Sequence, residues 1–562
     1  MKRRVIILTT TILAAVVLLC GCPQTPSGEG SNPYGSETTQ TKNVTLAANE
    51  TLYLVRVNPS STTVPHAYTG TTASGSQAAY MQGSRSVFQQ NLGAEEDAPV
   101  IRPHRASQEF NANPPRFAEI QDGRSRSVLG ENHGYAACAV GDTGQFWVEN
   151  SAKVMVQKNA TLKVRSTWAK IWVADDNFDD ASNVNDDNKI TALQADDLAE
   201  KFDLIYPIET AFFGTEMRKA SANTPNPADV KGIDGDDRIQ ILVYDIDDDY
   251  PSNQSGGTFG YFWGKDEYTQ AQLDSGGASA YKSNEAEIFY LDAHFLDKYP
   301  ETMYSTLVHE FQHMIHFNRK TLRLGRNSET WYNEMLSMLA EDMISPLIEV
   351  GADNSGHPIN MRIPTFNVYY ICGLTSWLSG NAAVYSYSVA YAFGAYLARN
   401  YGGAAFVKDM FDNDEVNQAS ITAALAGQSV DPRVDSFEDA LLRFPEALLN
   451  NTTSGITFNK TVNYSMNVPT VGSTNYNFAA FNIYDNNYKV SDGVFNALDI
   501  SKGSYTNGPL FGLYLTSGMP PASMNIQAFL PGQSSVTYTQ WTNSPVKFRW
   551  YVKKADGTVT QK

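Results

Sequence analysis

The feature that most constrains this chain is His309-Glu310-Phe311-Gln312-His313, an H-E-x-x-H pentapeptide inside the run Ser305 to His316. Two histidines four residues apart share a face on a helix, where side chains return to one side about every 3.6 residues and lie close enough to meet at one ion; on a strand the same spacing is about 13 Å. The fold must therefore supply a helix here, packed on one side and open on the histidine side. Pro300-Glu301 opens such a helix well, because proline loses no bond at the first position and an acid complements the helix dipole. Tyr304, Leu307, Val308, Phe311 and Ile315 recur at helical spacing and form one apolar stripe. His309, His313 and His316 fall on the opposite side, and Gly325 is a natural stop. The stretch is expected to pack on a sheet and turn its imidazoles into a cleft.

Two imidazoles on one face suit a divalent cation, and Glu310, one step round, reaches water beside it. This is zinc-hydrolase chemistry when a third ligand leaves one position open, with Glu310 as the catalytic carboxylate. A metzincin needs Gly and then His at three-residue steps after His313; His316 and Arg319 stand there, which excludes that class. Thr330 to Asp342 reads as a return helix ending before Pro346. Its Asn333-Glu334-x-x-Ser337 resembles the segment that supplies the glutamate ligand in thermolysin-like gluzincins, which makes Glu334 the third ligand. Glu341, seven residues on along the same face, is expected to orient a zinc histidine. Gluzincins often carry an acid four residues after the ligand, where this chain has Met338. His316 is expected to flank the pocket, with an alternative role as ligand. His66, His104, His133, His294 and His357 have no partner pattern and are expected to be structural.

The rest of the chain sets the surroundings. Lys2-Arg3-Arg4, the apolar run Val5 to Leu19 and Leu19-Cys20-Gly21-Cys22 resemble a bacterial lipoprotein signal, with cleavage before Cys22 and lipidation of its thiol. The expected location is the bacterial cell envelope, anchored by lipid, with secretion as the alternative. A net charge of −18 argues against nucleic-acid partners. Residues 22–45 read as a flexible tether, 46–170 as an N-terminal β-rich region with a polar loop, 171–450 as the catalytic part and 451–562 as a β-sandwich-like accessory domain. Expected strands include Val44–Leu46, Leu52–Val57, 145–148, 153–157, 161–165, 169–173, 239–244, 260–263 and 287–291. Acidic stretches at Asp175–Asp187 and Asp245–Asp249 make structural calcium a second cofactor expectation beside one catalytic zinc. Tyr385 to Tyr401 reads as a helix from which Tyr385, Tyr387 or Tyr391 reaches the site; Tyr391 is taken as the pocket residue.

His-Glu-Phe-Gln-His-Met-Ile-His, the following Trp331-Tyr-Asn-Glu334, Ser283 to Asp292 and Tyr385 to Gly402 together resemble hyicolysin-type bacterial zinc metallopeptidases over roughly residues 130–445. The resemblance implies cleavage of protein or peptide substrates with one zinc, His309, His313 and Glu334 as ligands, and Glu310 as acid/base. It implies an α+β fold: a zincin-type domain with a small sheet, an active-site helix and a mainly helical C-terminal subdomain, flanked by β-rich domains. A surface adhesin on the same scaffold and a hydrolase of cell-wall amide bonds are the rival readings.

Overall fold

The computed structural model describes residues 33–72, 102–115, 135–179, 188–216, 233–251, 256–354, 356–485, 508–509, 511 and 517–562. Strands β1 (Glu37–Asn43) and β2 (Thr51–Asn58) precede helix α1 (Arg105–Ala112) and three further strands, β3 (Thr143–Glu149), β4 (Met155–Arg165) and β5 (Ala169–Ala174). Helix α2 (Ala192–Phe213) leads to β6 (Ile239–Tyr244), β7 (Gly260–Phe262) and β8 (Ile288–Asp292). Six of these strands form one sheet in the order β3-β4-β5-β6-β8-β7. β5, β6 and β8 run parallel. Every residue in them is buried, as continuous apolar runs covered on both faces require. β7 pairs antiparallel with β8 and forms an edge. The runs expected as strands at 153–157 and 161–165 are one strand, β4, whose register shifts between Leu162 and Val164. α2 starts from Thr191, whose hydroxyl accepts from the Gln194 N–H while the Gln194 side chain accepts from the Thr191 N–H.

Helix α3 (Pro300–His316) carries the pentapeptide. Leu307, Val308, Phe311 and Ile315 are fully buried. Phe311 packs on Phe202 and Tyr206 of α2, with ring centroids 5.1 and 5.4 Å apart. On its other flank Thr306 lies against Gly260 of β7. A Cβ there would sit 2.8 Å from Thr306 Cγ2 and 2.9 Å from the Tyr290 carbonyl oxygen, so only glycine lets helix and edge strand meet. α3 widens into a π-type turn, Phe317–Arg323, and the turn closes at Gly325 with φ +64°. Helices α4 (Thr330–Ile344), α5 (Pro358–Tyr369) and α6 (Ala383–Tyr401) follow. α4 packs against both α3 and α6.

The C-terminal strands are β9 (Val462–Val468), β10 (Gly472–Phe478), β11 (Ser523–Ala528), β12 (Ser535–Trp541), β13 (Lys547–Lys553) and β14 (Val559–Gln561). The expected N-terminal β-rich region is divided between two sheets. β2 sits in the order β11-β2-β13-β14, whereas β3, β4 and β5 belong to the sheet under the site; β1, inside the stretch expected as a flexible tether, is instead a strand paired with β12. The alternation of β2 explains its place. Leu52 and Leu54 join Phe529, Val536, Tyr538, Trp550 and Val552 on one face, and Val55 and Val57 enter the main core on the other. Val44 to Leu46, expected as a strand, follows β1 instead.

The architecture is mixed α+β. The signal segment, Cys22, the first part of the tether to residue 32, much of the polar loop and residues 180–187 of the acidic stretch lie outside the described residues. Among the described residues no helix is long and apolar enough to cross a membrane.

Candidate metal centre

α3 and α4 bring His309, His313 and Glu334 together, each with a ligand atom within 4.8 Å of the others. The two Nε2 atoms lie 3.0 Å apart. Glu334 Oε2 is 3.0 Å from His309 Nε2 and 3.4 Å from His313 Nε2. All three residues are buried. The other side of each ring fixes its tautomer. His309 Nδ1–H donates to Glu341 Oε1 at 2.6 Å, and Glu341 Oε2 accepts from the Ser305 hydroxyl at 2.8 Å. Ser337 donates its hydroxyl proton to Gln312 Oε1 (2.5 Å), so it accepts from His313 Nδ1–H (3.0 Å). Both Nε2 atoms therefore present lone pairs to one point, beside a carboxylate oxygen.

That donor set fits a tetrahedral zinc ion, whose nitrogen and oxygen ligands at roughly 2.1 Å lie about 3.4 Å from one another. The titration of the cluster points the same way. Burial opposes charge on His309, yet Glu341 and Glu334 overcome it and push its pKa well up. Burial also works to raise Glu334, but the two histidines hold it well below the usual carboxylate range. The pocket is thus built to hold positive charge at its centre, which a divalent cation supplies with both rings unprotonated at Nε2.

Glu310 lines the same cleft. Its carboxyl is hydrogen-bonded by the Phe262 backbone N–H, and burial raises its pKa. The cleft also takes in β7, Tyr387 and Arg362. The Tyr387 hydroxyl is 3.3 Å from Glu334 Oε1. The Arg362 guanidinium lies 4.8 Å from the Tyr387 ring centroid. Its Nη1 is buried and has no hydrogen-bond partner among the described residues.

Some expected site residues are placed elsewhere. Tyr391 is not a pocket residue: its hydroxyl donates to Asp342 (2.8 Å), whose carboxylate also pairs with Arg399 at 2.9 and 3.2 Å. Tyr385 stacks on Tyr369 with ring centroids 3.5 Å apart. Tyr387, one helical turn from Tyr391, is the one of the three α6 candidates that lines the cleft. His316 is buried with its Nε2 2.7 Å from the Ser328 hydroxyl, outside the metal cluster. Met338 is fully buried, and the carboxylate that meets His309 Nδ1 is that of Glu341, seven residues after Glu334. Ser337, Ser305, Gln108 and Arg362 are neighbours of the site that sequence reasoning did not assign. Ser337 had a signal, since it lies three residues after Glu334 on one helix face; Gln108, 226 residues from Glu334, had none.

Among the described residues the calcium expectation finds no support. Asp247 pairs with Lys153 at 2.7 Å, and Lys158 bridges Asp176 and Asp248 at 3.1 and 2.9 Å, so lysines already neutralise these acids. A second cluster of potential ligands, His104, Glu149 and Asp247, likewise encloses Lys153, 3.5 Å from Glu149.

Comparison with known proteins agrees with this geometry. The model of the peptidase M30 family matches residues 149–489. The chain is similar to the neutral metalloprotease ShpI of Staphylococcus hyicus, with 29% identity over 311 residues, which cover 53% of this chain and 60% of that protein. The similarity thus spans less than two thirds of the relative's length.

Proposed function

The chain belongs to the peptidase M30 family, and on that premise we propose that it is an exported, lipid-anchored zinc endopeptidase of zincin type. The observation that carries the reading is the convergence of two tautomer-fixed Nε2 atoms and one carboxylate beside Glu310. Export and anchoring are supported by the basic, apolar and Gly-Cys pattern of residues 2–22.

His309, His313 and Glu334 would hold the zinc. When bound, it supplies Lewis acidity toward the scissile carbonyl and lowers the pKa of coordinated water toward about 7. The remaining steps belong to the protein. Glu310, desolvated in the cleft, accepts a proton from the attacking water and returns it to the leaving amine. Glu341 and Ser337 keep the histidines in the ligating tautomer. The Tyr387 hydroxyl is placed to donate to the substrate's carbonyl oxygen as charge develops there. The edge of β7 that faces away from β8 offers backbone groups to an extended peptide.

The test is Glu310→Gln in the purified protein, with zinc content and chelator-sensitive casein cleavage measured side by side. The variant is expected to keep stoichiometric zinc and lose activity by about 10²-fold or more. Cleavage at the wild-type rate would overturn the assignment. Peptidoglycan in place of casein separates a cell-wall amidase from a peptidase.

A further inference from the structure

The cleft carries an occupant from the chain itself. Arg102 and helix α1 run along β7, beginning where the Arg102 N–H donates to the Gly257 carbonyl at 2.8 Å. Asn111 then meets the strand with its carboxamide. Its Nδ2 donates to the Phe262 carbonyl (2.9 Å) and its Oδ1 accepts from the Gly264 N–H (2.8 Å). A carboxamide bonded in this way reproduces one peptide group of an added strand. Deeper in the cleft, Gln108 Nε2 donates to Glu334 Oε1 (2.5 Å) and to the Tyr387 hydroxyl (2.8 Å), while Trp377 Nε1–H donates to Gln108 Oε1 (3.2 Å). The His104 ring stacks on Tyr261 of β7 with centroids 3.9 Å apart.

An extended substrate needs the same groups: the backbone edge at Phe262 and Gly264, and the space beside Glu334 and Tyr387. α1 fills both positions at once. It also precedes the family-matched region, which begins at Glu149, so it lies outside the body shared with that family.

We propose that the segment Arg102–Asn113 is an autoinhibitory strap that stands in the substrate's place through Gln108 and Asn111. The proposal rests on the peptidase reading of this cleft. Substrate binds only when the strap has left, so the apparent affinity is reduced by the fraction of molecules in which the cleft is open. Asn111 is the cleaner probe, because it touches the edge strand and not Glu334.

The experiment uses the full chain as wild type, Asn111→Ala and Gln108→Ala/Asn111→Ala, with fluorescein-labelled casein as substrate and amide hydrogen exchange read at Arg102, whose bond to Gly257 neither substitution touches. Loss of the two neutral bonds of Asn111 is expected to shift the open fraction by about tenfold or more. Asn111→Ala should therefore lower KM by about tenfold at unchanged kcat and speed Arg102 exchange by a similar factor. The double variant should go further, and an excess of synthetic peptide 102–115 should inhibit it competitively. Unchanged KM or unchanged Arg102 exchange in Asn111→Ala would overturn the strap. So would a fall in kcat for the double variant at full zinc content, since Gln108 would then be positioning Glu334 in the working site. Faster Arg102 exchange with no casein cleavage by any of the three proteins would support the strap and overturn the peptidase reading alone.

Discussion

Glu341 carries the sharpest prediction about the metal centre. Its carboxylate is buried, accepts from His309 Nδ1–H at 2.6 Å and is itself held by Ser305 at 2.8 Å. Glu341→Ala removes a charge-assisted bond and leaves a buried donor without its acceptor, at a cost of about 1.5–3 kcal/mol. If that energy now holds His309 in its ligating tautomer, its loss appears in metal binding as a roughly 10- to 100-fold weaker zinc affinity. Glu341→Gln keeps an acceptor but no charge; about half the free energy should survive, so zinc weakens about 3- to 10-fold. Ser305→Ala, which loses a hydroxyl bond to the far carboxylate oxygen but leaves the His309 bond in place, should cost less, about fivefold at most. The assay is competitive zinc titration against a chromophoric chelator at pH 7.5, with near-UV circular dichroism as the control for folding. A folded Glu341→Ala protein binding zinc within about twofold of wild type would refute the orienting role.

Two further predictions concern buried charge away from the ligands. Burial raises the Glu216 pKa from its ordinary 4.5 to about 7, while the Tyr206 hydroxyl donates to its Oε1 at 2.9 Å. The folded state therefore binds the proton more tightly than the unfolded chain, so this group weakens the fold by about 3 kcal/mol as pH rises from 4.5 to 7, with no further change above that. Glu216→Gln should flatten the dependence of Tm on pH across that window; an unchanged slope would refute the account. Arg362 is 4% exposed with Nη1 unpartnered. Arg362→Met should raise stability by on the order of 1–2 kcal/mol in urea unfolding, net of about 1 kcal/mol for the lost contact with Tyr387. A loss of stability would mean that the guanidinium is compensated.

What the sequence made legible follows from distance along the chain. The helical stripe of α3 and the histidine face are local periodicities, and Phe311 and His313 fall where the period puts them. Glu334 was reachable because a short connection between two helices makes them antiparallel neighbours. Tyr387 against Tyr391 was not decidable. They lie one turn apart on α6, and the crossing point of α6 on α4, set by packing, decides which hydroxyl meets Glu334 and which meets Asp342. The division of the β-rich regions was hidden for a related reason. Alternation tells which face of β2 is apolar but not which strands pair with it, and its partners β11 and β13 are more than 450 residues away.

That long-range pairing determines what cutting the chain can release. The segment between β2 and β3 crosses the cleft as α1, and both of its ends are built into sheets. β2 is an inner strand. Val57 through Thr51 pair with Lys547 through Lys553 on one side, and Asn58 through Tyr53 pair with Ser523 through Ala528 on the other. Leu52, Leu54, Val55 and Val57 are fully buried, a contribution of about 6–12 kcal/mol at about 1.5–3 kcal/mol for each side chain. Breaking one peptide bond between residues 72 and 102 removes none of these contacts. A protein with a protease site engineered there should therefore run as one particle in size-exclusion chromatography after complete cleavage, and as two fragments only once denatured. The cut should free the N-terminal side of the strap while the C-terminal sheet stays whole. Elution of the N-terminal fragment by itself under native conditions would refute the pairing of β2 as the element that binds the two ends of the chain.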